Sequence, residues 1–474
     1  MEKTPVLSDK PLGSGSAFGQ ATVTSYVNPE RQLKLIIAAL FLPEGFSFFI
    51  GEFRLTVVRI LLIIISTTTV LRYLRGPARV FVLSDLLALA AAVWMLLAST
   101  VTEGFAGLKG ASIAAVEFTG CYYAFRFSLG PINSSVRIVR FACKVMVVVV
   151  AIALLDPLTG KLFTYELAKG LTGYAKPFLE EALAQHAEAL FRDGVLRAMG
   201  PMEHSILFGC VCAWFGTLAF FTFPYRFFGW SIAVFALIGL SYSQARGAWV
   251  AYVMAFGLSG YYVVTRRFPV MRWKLIGSVA ALALAAIFSV SGSPIATLMK
   301  LGGLSPAAAY YRQAIWATAG PLVAHSPLFG IGSTWDWQAN TDLYGPSVDA
   351  FWLQNSMAYG IPASLLVFLT MVSPFWRGPI DNSPNLSPEE KRLSVALGIV
   401  TATAVLMGFI VHFWGVCWVL IGAFPAIRAN LAEAATLRHR TAQALNGRRR
   451  VEATGRKNYQ FAPRKLISLE VPKR

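Results

Sequence analysis

Acidic residues are scarce in this chain. Asp and Glu number 24 against 42 Lys and Arg in 474 residues, and the four types together make up 14%. A soluble globular chain carries roughly 25%, so a water-soluble fold is excluded. Cysteine is sparse as well. Cys121, Cys143, Cys210, Cys212 and Cys417 lie in or beside apolar segments, where a thiol serves as a small hydrophobe. None has zinc spacing with histidine, and no disulfide framework is implied. There is no Walker loop, no glycine-rich dinucleotide fingerprint, no His-Glu-x-x-His and no Cys-x-x-Cys, which removes the common nucleotide and zinc chemistries. What remains is apolar: 56% of residues are hydrophobic, with a mean hydropathy of +0.57. The net charge of +18 would suit nucleic acid. Basic residues retained in the cytoplasmic loops of a membrane protein explain it better, and nucleic-acid binding is not expected.

Runs of membrane length predict an all-α polytopic protein of about twelve spans. They fall near 33–50, 54–73, 80–100, 109–127, 135–155, 203–222, 227–244, 247–265, 273–292, 351–375, 393–411 and 413–430, and Pro43, Glu44 and Gly45 interrupt the first. Residues 1 to about 31 form a polar tail without the apolar core of a cleavable signal, so the first span is expected to start insertion. The clusters Arg72/Arg75/Arg79, Arg137/Arg140/Lys144, Arg266/Arg267/Arg272/Lys274 and Arg377/Lys391/Arg392 fall on one side if the spans alternate, as does the basic tail 431–474. The positive-inside rule makes that side cytoplasmic and places both termini there. Residues 32–430 then form the membrane domain, with two long outward loops at about 156–202 and 293–350. The first holds a helical-looking stretch at 177–190. Loops of this length usually carry function. The basic tail is expected to rest on anionic lipid headgroups.

Arg246 lies in Ser241-Tyr-Ser-Gln-Ala-Arg-Gly-Ala-Trp-Val-Ala-Tyr252, between two spans on the outward side. An arginine with apolar flanks costs about 2.5–3.5 kcal/mol at a helix centre and less near an interface. Holding an anion would justify that cost. Arg312 sits in Tyr310-Tyr-Arg-Gln-Ala-Ile-Trp316, which reads as a short helix; Arg197 closes the first outward loop; Arg59 falls in the outward half of the second span. Guanidinium is always charged and grips phosphate through a planar fork, so several arginines around one outward cavity suit a diphosphate. Each alone also reads as a salt bridge or a snorkelling side chain, a reading that weighs least for Arg246 and Arg312 and most for Arg59. His204 and His325 are outward and suited to proton transfer, although a lone interfacial histidine is more often structural, as His412 is taken to be. Asp349 opens the tenth span and reads either as a base or as a helix N-cap.

These residues carry a resemblance. Ser243-Gln-Ala-Arg-Gly-Ala-Trp-Val is similar to the S-x-x-R-G-A-W signature of the O-antigen ligase and polymerase superfamily. Arg312 with Trp316, His325-Ser-Pro-Leu-Phe-Gly-Ile-Gly332 and Tyr359-Gly-Ile-Pro362 follow in that superfamily's order, and Arg197 with Gly200-Pro-Met-Glu-His204 resembles its exopolysaccharide polymerase branch. The resemblance covers about residues 195–365. It implies a GT-C-like glycosyltransferase of the bacterial inner membrane with a periplasmic active site, acting without metal or cofactor. Its partners would be an undecaprenyl-diphosphate-linked oligosaccharide, a glycan acceptor, membrane lipids and a chain-length regulator. Arg246 and Arg312 match arginines that bind the donor diphosphate. One departure stands out: ligases carry a histidine about eleven residues before the last glycine, and the count from Gly360 lands on Asp349. The departure disfavours a lipid A ligase and favours a polymerase of repeat units or a related ligase. The rival class, a flippase or carrier of lipid-linked glycans, would use Glu44, Asp85 and Glu117 within the spans; its coupling groups belong near the midplane, whereas the notable groups here gather at one face.

Overall fold

The computed structural model describes residues 28–51, 53–75, 81–130, 134–176, 179–180, 190–268, 271–291, 297, 306–335, 337, 348–375 and 385–459. The polar tail before 28, most of the expected helix at 177–190 and the end of the basic tail lie outside them. The chain opens with α1 (Pro29–Leu40) and an antiparallel hairpin of β1 (Ser47–Ile50) and β2 (Phe53–Thr56). Helices α2 (Val57–Arg75) and α3 (Leu83–Glu103) follow. Next, α4 (Leu108–Ala115), a π turn (Val116–Gly120) and α5 (Cys121–Ser128) run on as one rod. After α6 (Ser134–Ala153), α7 (Leu155–Thr159) and α8 (Phe163–Thr172) comes a small hairpin, β3 (Phe191–Arg192) with β4 (Val195–Leu196). The rest is helical: α9 (Ser205–Thr222), α10 (Arg226–Ser243), α11 (Arg246–Val264), α12 (Met271–Val290), α13 (Pro306–His325), α14 (Phe351–Val372), α15 (Pro388–Met407) and α16 (Gly415–Tyr459).

Eight helices among the described residues are long and apolar enough to cross a membrane, and the chain is a multi-pass membrane protein. The expected first span is not one helix. Pro43 lacks an amide donor and Gly45 is a poor helix former, so α1 stops at Leu40 and residues 47–50 pair with 53–56 instead. The other eleven expected ranges each hold a helical segment. Those below the length and apolarity for crossing are the rod of α4 and α5, α12, and α15, which opens with Glu389, Glu390, Lys391 and Arg392.

Helix α9 lies at the centre: 89% of its apolar window is buried, as in α16. It has no charged residue and is hydrophobic on every side, as a helix enclosed by others should be. Its neighbours include α6, α10, α11 and α15, while α14 packs on α3.

The second long loop departs most from expectation. In place of a short helix, α13 is a 20-residue helix that runs beside α14 into the bundle. The segment after it lodges where α14 breaks at Gly360, whose φ of 83° and ψ of 166° are non-helical. The amide of Ile331 donates to Met357 O at 2.7 Å, and that of Ile361 to Pro327 O at 2.8 Å. Trp94 of α3 donates from Nε1 to Tyr359 O at 3.1 Å and stacks on Phe329. A Cβ at position 360 would lie 1.9 Å from Leu328 O, so only glycine admits this approach. Gly360 is nine residues past Phe351, roughly 14 Å along the helix and close to half of a ~30 Å hydrocarbon layer. Irregular backbone at that depth persists only where protein satisfies its polar groups, and the 326–332 segment does so.

Candidate active site

The turn between α10 and α11 fixes Arg246. Ser243 ends α10, Gln244 takes a left-handed conformation with φ 50°, and extended Ala245 leads into α11. The buried Ser243 Oγ accepts the Ala245 amide at 3.3 Å. A non-glycine residue in this region costs about 1–2 kcal/mol, which the surrounding contacts must offset. The segment before α9 supplies them. The amide of Ala198 donates to Tyr242 O at 2.9 Å, Arg197 Nε donates to Ser243 O at 3.2 Å, and Arg192 Nη1 donates to Gln244 O. Both arginines thus cap the carbonyl end of α10, where cations are favoured. Arg197 is buried, and burial with Arg192 beside it lowers its pKa to about 10. Arg246, by contrast, is exposed at the first turn of α11, an end where backbone N–H groups and the helix dipole favour an anion.

The link between α15 and α16 joins this turn to Arg312. Arg312 Nε donates to Ile410 O at 3.0 Å and Trp316 Nε1 to Phe409 O at 3.2 Å. The amides of Phe351 and Trp352 donate to Val411 O at 3.0 Å and Gly408 O at 3.2 Å. On its other side the link meets α11: a Cβ on Gly247 would lie 3.3 Å from both Val411 and Met407 side chains. Residues 408–412 therefore lie between the first turn of α11 and Arg312. Burial lowers the pKa of Arg312 while Asp349 nearby opposes the shift; burial, then Asp349, raises that of Tyr311. The N-cap reading of Asp349 does not hold, because the cap of α14 is Ala350.

His204 caps α9, its Nδ1 accepting the Ile206 amide at 3.1 Å. Burial, then Arg197 and Lys176, lower its pKa to about 3. The ring is neutral with its one acceptor nitrogen occupied, so it can donate from Nε2 but has no lone pair for a base. Trp414 stands between His204, at 6.1 Å, and His412, at 5.2 Å between ring centroids. His412 Nδ1 is buried without a hydrogen-bond partner, and burial lowers its pKa to about 4. A buried polar atom left unsatisfied among the described residues, one residue from Val411, makes His412 a further candidate beside the expected structural role. His325 is exposed at the far end of α13, thirteen residues and roughly 20 Å along the helix from Arg312. The structure does not bring it to the other site residues.

A second polar cluster was missed in the sequence. Glu44 pairs with Arg54 at 3.2 Å and Lys176 at 3.1 Å, and Arg59 with Glu117 at 2.8 Å. Arg54 also donates to Tyr174 Oη at 2.5 Å. Arg59 is thereby spent on a carboxylate and not offered to a ligand. Glu203 is buried with Oε2 unpartnered, pressed against Gly415, where a Cβ would meet its carboxylate at 1.9 Å. Burial, then the charge of Glu44, raises Glu203 to about 7.

Residues 231–368 match the family model described as O-antigen ligase. This match supports a relation of that segment to the O-antigen ligase/polymerase superfamily. No curated protein matches the chain. The O-antigen ligase segment holds α11, α13 and the first part of α14, and with them Arg246, Arg312, His325 and Asp349. Arg197, His204 and His412 come from outside it, so flanking elements complete the cluster.

Proposed function

We propose that the protein is a glycosyltransferase of the bacterial inner membrane that polymerises repeat units of an exopolysaccharide or O-antigen on the periplasmic face. The donor is a glycan on undecaprenyl diphosphate and the acceptor a hydroxyl of another lipid-linked glycan. One observation carries this reading: Arg246 and Arg312 flank residues 408–412, and among the described residues neither guanidinium is consumed. Arg312 spends Nε alone, leaving its Nη pair, and Arg246 is exposed. Two such forks supply the fixed cations that a departing diphosphate needs, and electrostatic stabilisation of this kind is usually the largest catalytic contribution. Residues 32–430 form the catalytic domain in this reading, and both termini are cytoplasmic.

The reaction is a single displacement without metal. The acceptor oxygen attacks the anomeric carbon, the bond to the diphosphate breaks with its electron pair leaving on phosphate oxygen, and the configuration inverts. Asp349, beside Arg312 and Tyr311, takes the hydroxyl proton. The description of the matched family favours ligation of finished glycan as the second reading. A carrier is disfavoured because the one broken membrane helix among the described residues has its break filled by residues 326–332. The test is deletion of the gene followed by sizing of the cell's surface polysaccharides. Single repeats left on their carrier are expected. Long chains left on the carrier would establish the ligase reading instead, and unaltered glycans would refute both.

A further inference from the structure

At the end of the bundle away from Arg246, helices α10 and α11 part over the face of α9 and leave a cavity of about 340 Å³. Its walls are Phe220, Trp230, Ala233, Tyr252, Phe256 and Gly260. An apolar cavity of roughly 150 Å³ accepts benzene; by that measure this one takes a chain segment of about a dozen carbons. It offers a polar guest little. Thr217 and Ser259, its two wall hydroxyls apart from Tyr252, donate to Ala213 O at 2.9 Å and Ala255 O at 2.6 Å on their own helices. Val263 and Val264 at its mouth are exposed, as are Trp230 and Phe256, so the opening faces the bilayer. Within one helical turn of the mouth, Arg226 starts α10 and Arg267 follows α11, both exposed.

We propose that this crevice is a binding site for an anionic phospholipid of the adjoining leaflet, one acyl chain filling the cavity and the phosphate lying between Arg226 and Arg267. The depth decides against the tail of a lipid held at Arg246. Gly260 is fourteen residues, roughly 21 Å, from Arg246 along α11, whereas the two arginines stand at the cavity's own end. The site does not depend on the transferase reading.

The test is native mass spectrometry of purified protein equilibrated with equal amounts of phosphatidylglycerol and phosphatidylcholine. Each arginine is expected to favour the anionic lipid about fivefold, so wild type should retain one phosphatidylglycerol with ~25-fold preference. Arg226→Ala with Arg267→Ala should bring the preference near parity while a lipid is still held. Gly260→Leu should retain neither lipid, since its side chain enters space with nothing within 4 Å of the new Cβ. A preference unchanged by the arginine substitutions, or retention unchanged by Gly260→Leu, would overturn the proposal. So would displacement of the phospholipid by undecaprenyl phosphate, which would give the cavity to a polyprenyl tail.

Discussion

Arg126 and Arg246 are both arginines set among membrane helices, and they differ in what their donors meet. Arg126 is 0% exposed. Its Nε reaches Asp85 at 2.9 Å, and Nη1 reaches Asn430 at 3.0 Å and Glu433 at 2.5 Å. Tyr122 and Ser84 extend the network, Tyr122 donating to Asp85 at 2.7 Å. That arginine ties α3, α5 and α16 together and offers nothing to a ligand. Arg246 stands exposed at a helix start that favours anions, with Arg312 across residues 408–412. The lesson is that an arginine in a membrane protein points to ligand binding only where its donors are unspent. By that criterion Arg59, paired with Glu117, falls with Arg126; Arg197 gives only Nε to a carbonyl, as Arg312 does, and is set apart by its burial.

The largest effect that sharpens this division is expected at Asp349. Asp349→Asn should lower glycan transfer by about 10²–10⁴-fold, as loss of a positioned base does, with donor binding unchanged in lipid-reconstituted protein. Thermal unfolding of the same variant separates loss of the base from loss of folding. Near-normal transfer would move the base to His412, whose Nδ1 is unspent, and His412→Ala would then be the deficient variant.

Arg126→Ala should act on the other quantity. It leaves Asp85 and Glu433 buried and uncompensated, a change that typically costs about 3–5 kcal/mol. Thermal unfolding in detergent should fall sharply, while transfer per folded molecule stays close to wild type. Loss of transfer without loss of stability would break the comparison.

Arg197→Ala should remove a helix C-cap, with an expected cost of about 1 kcal/mol and only a modest fall in transfer. A loss as large as that of Asp349→Asn would return Arg197 to the anion site.

The smallest effect is a pH dependence. The folded pKa of Glu203, about 7, lies above the ordinary 4.5, so the folded state keeps a proton that the unfolded chain releases. Stability from this group is therefore full below about 4.5 and declines as pH rises to about 7. Glu203→Gln should flatten that decline in thermal melts across pH 4.5–8. An unchanged slope would assign it to other groups.

Hydropathy made most helices legible because a span's length and apolarity are local. It misread 33–50, where the apolar average hides Pro43 and Gly45, and residues 306–325, where Arg312 and Pro321 disguise a helix that enters the bundle only part-way. The motif residues 326–332 and 359–362 were recognisable as a pattern. Their physical role, a loop filling the break at Gly360, needed the contact between two segments. Pairings such as Arg59 with Glu117, or Arg126 with Asp85 and Glu433, join residues far apart in sequence and leave no local mark. The motif marks Arg246 and Arg312 in the sequence, but which arginines already donate to carboxylates or carbonyls is visible only in the fold.

The claim that Arg246 and Arg312 hold the donor diphosphate is tested most directly by binding of undecaprenyl diphosphate to protein in nanodiscs. Wild type is compared with Arg246→Lys, Arg312→Lys and Arg197→Lys. Lysine keeps the charge but loses the planar fork, so binding should weaken at least tenfold in the first two variants and little in the third. Equal binding by all four proteins would contradict the account.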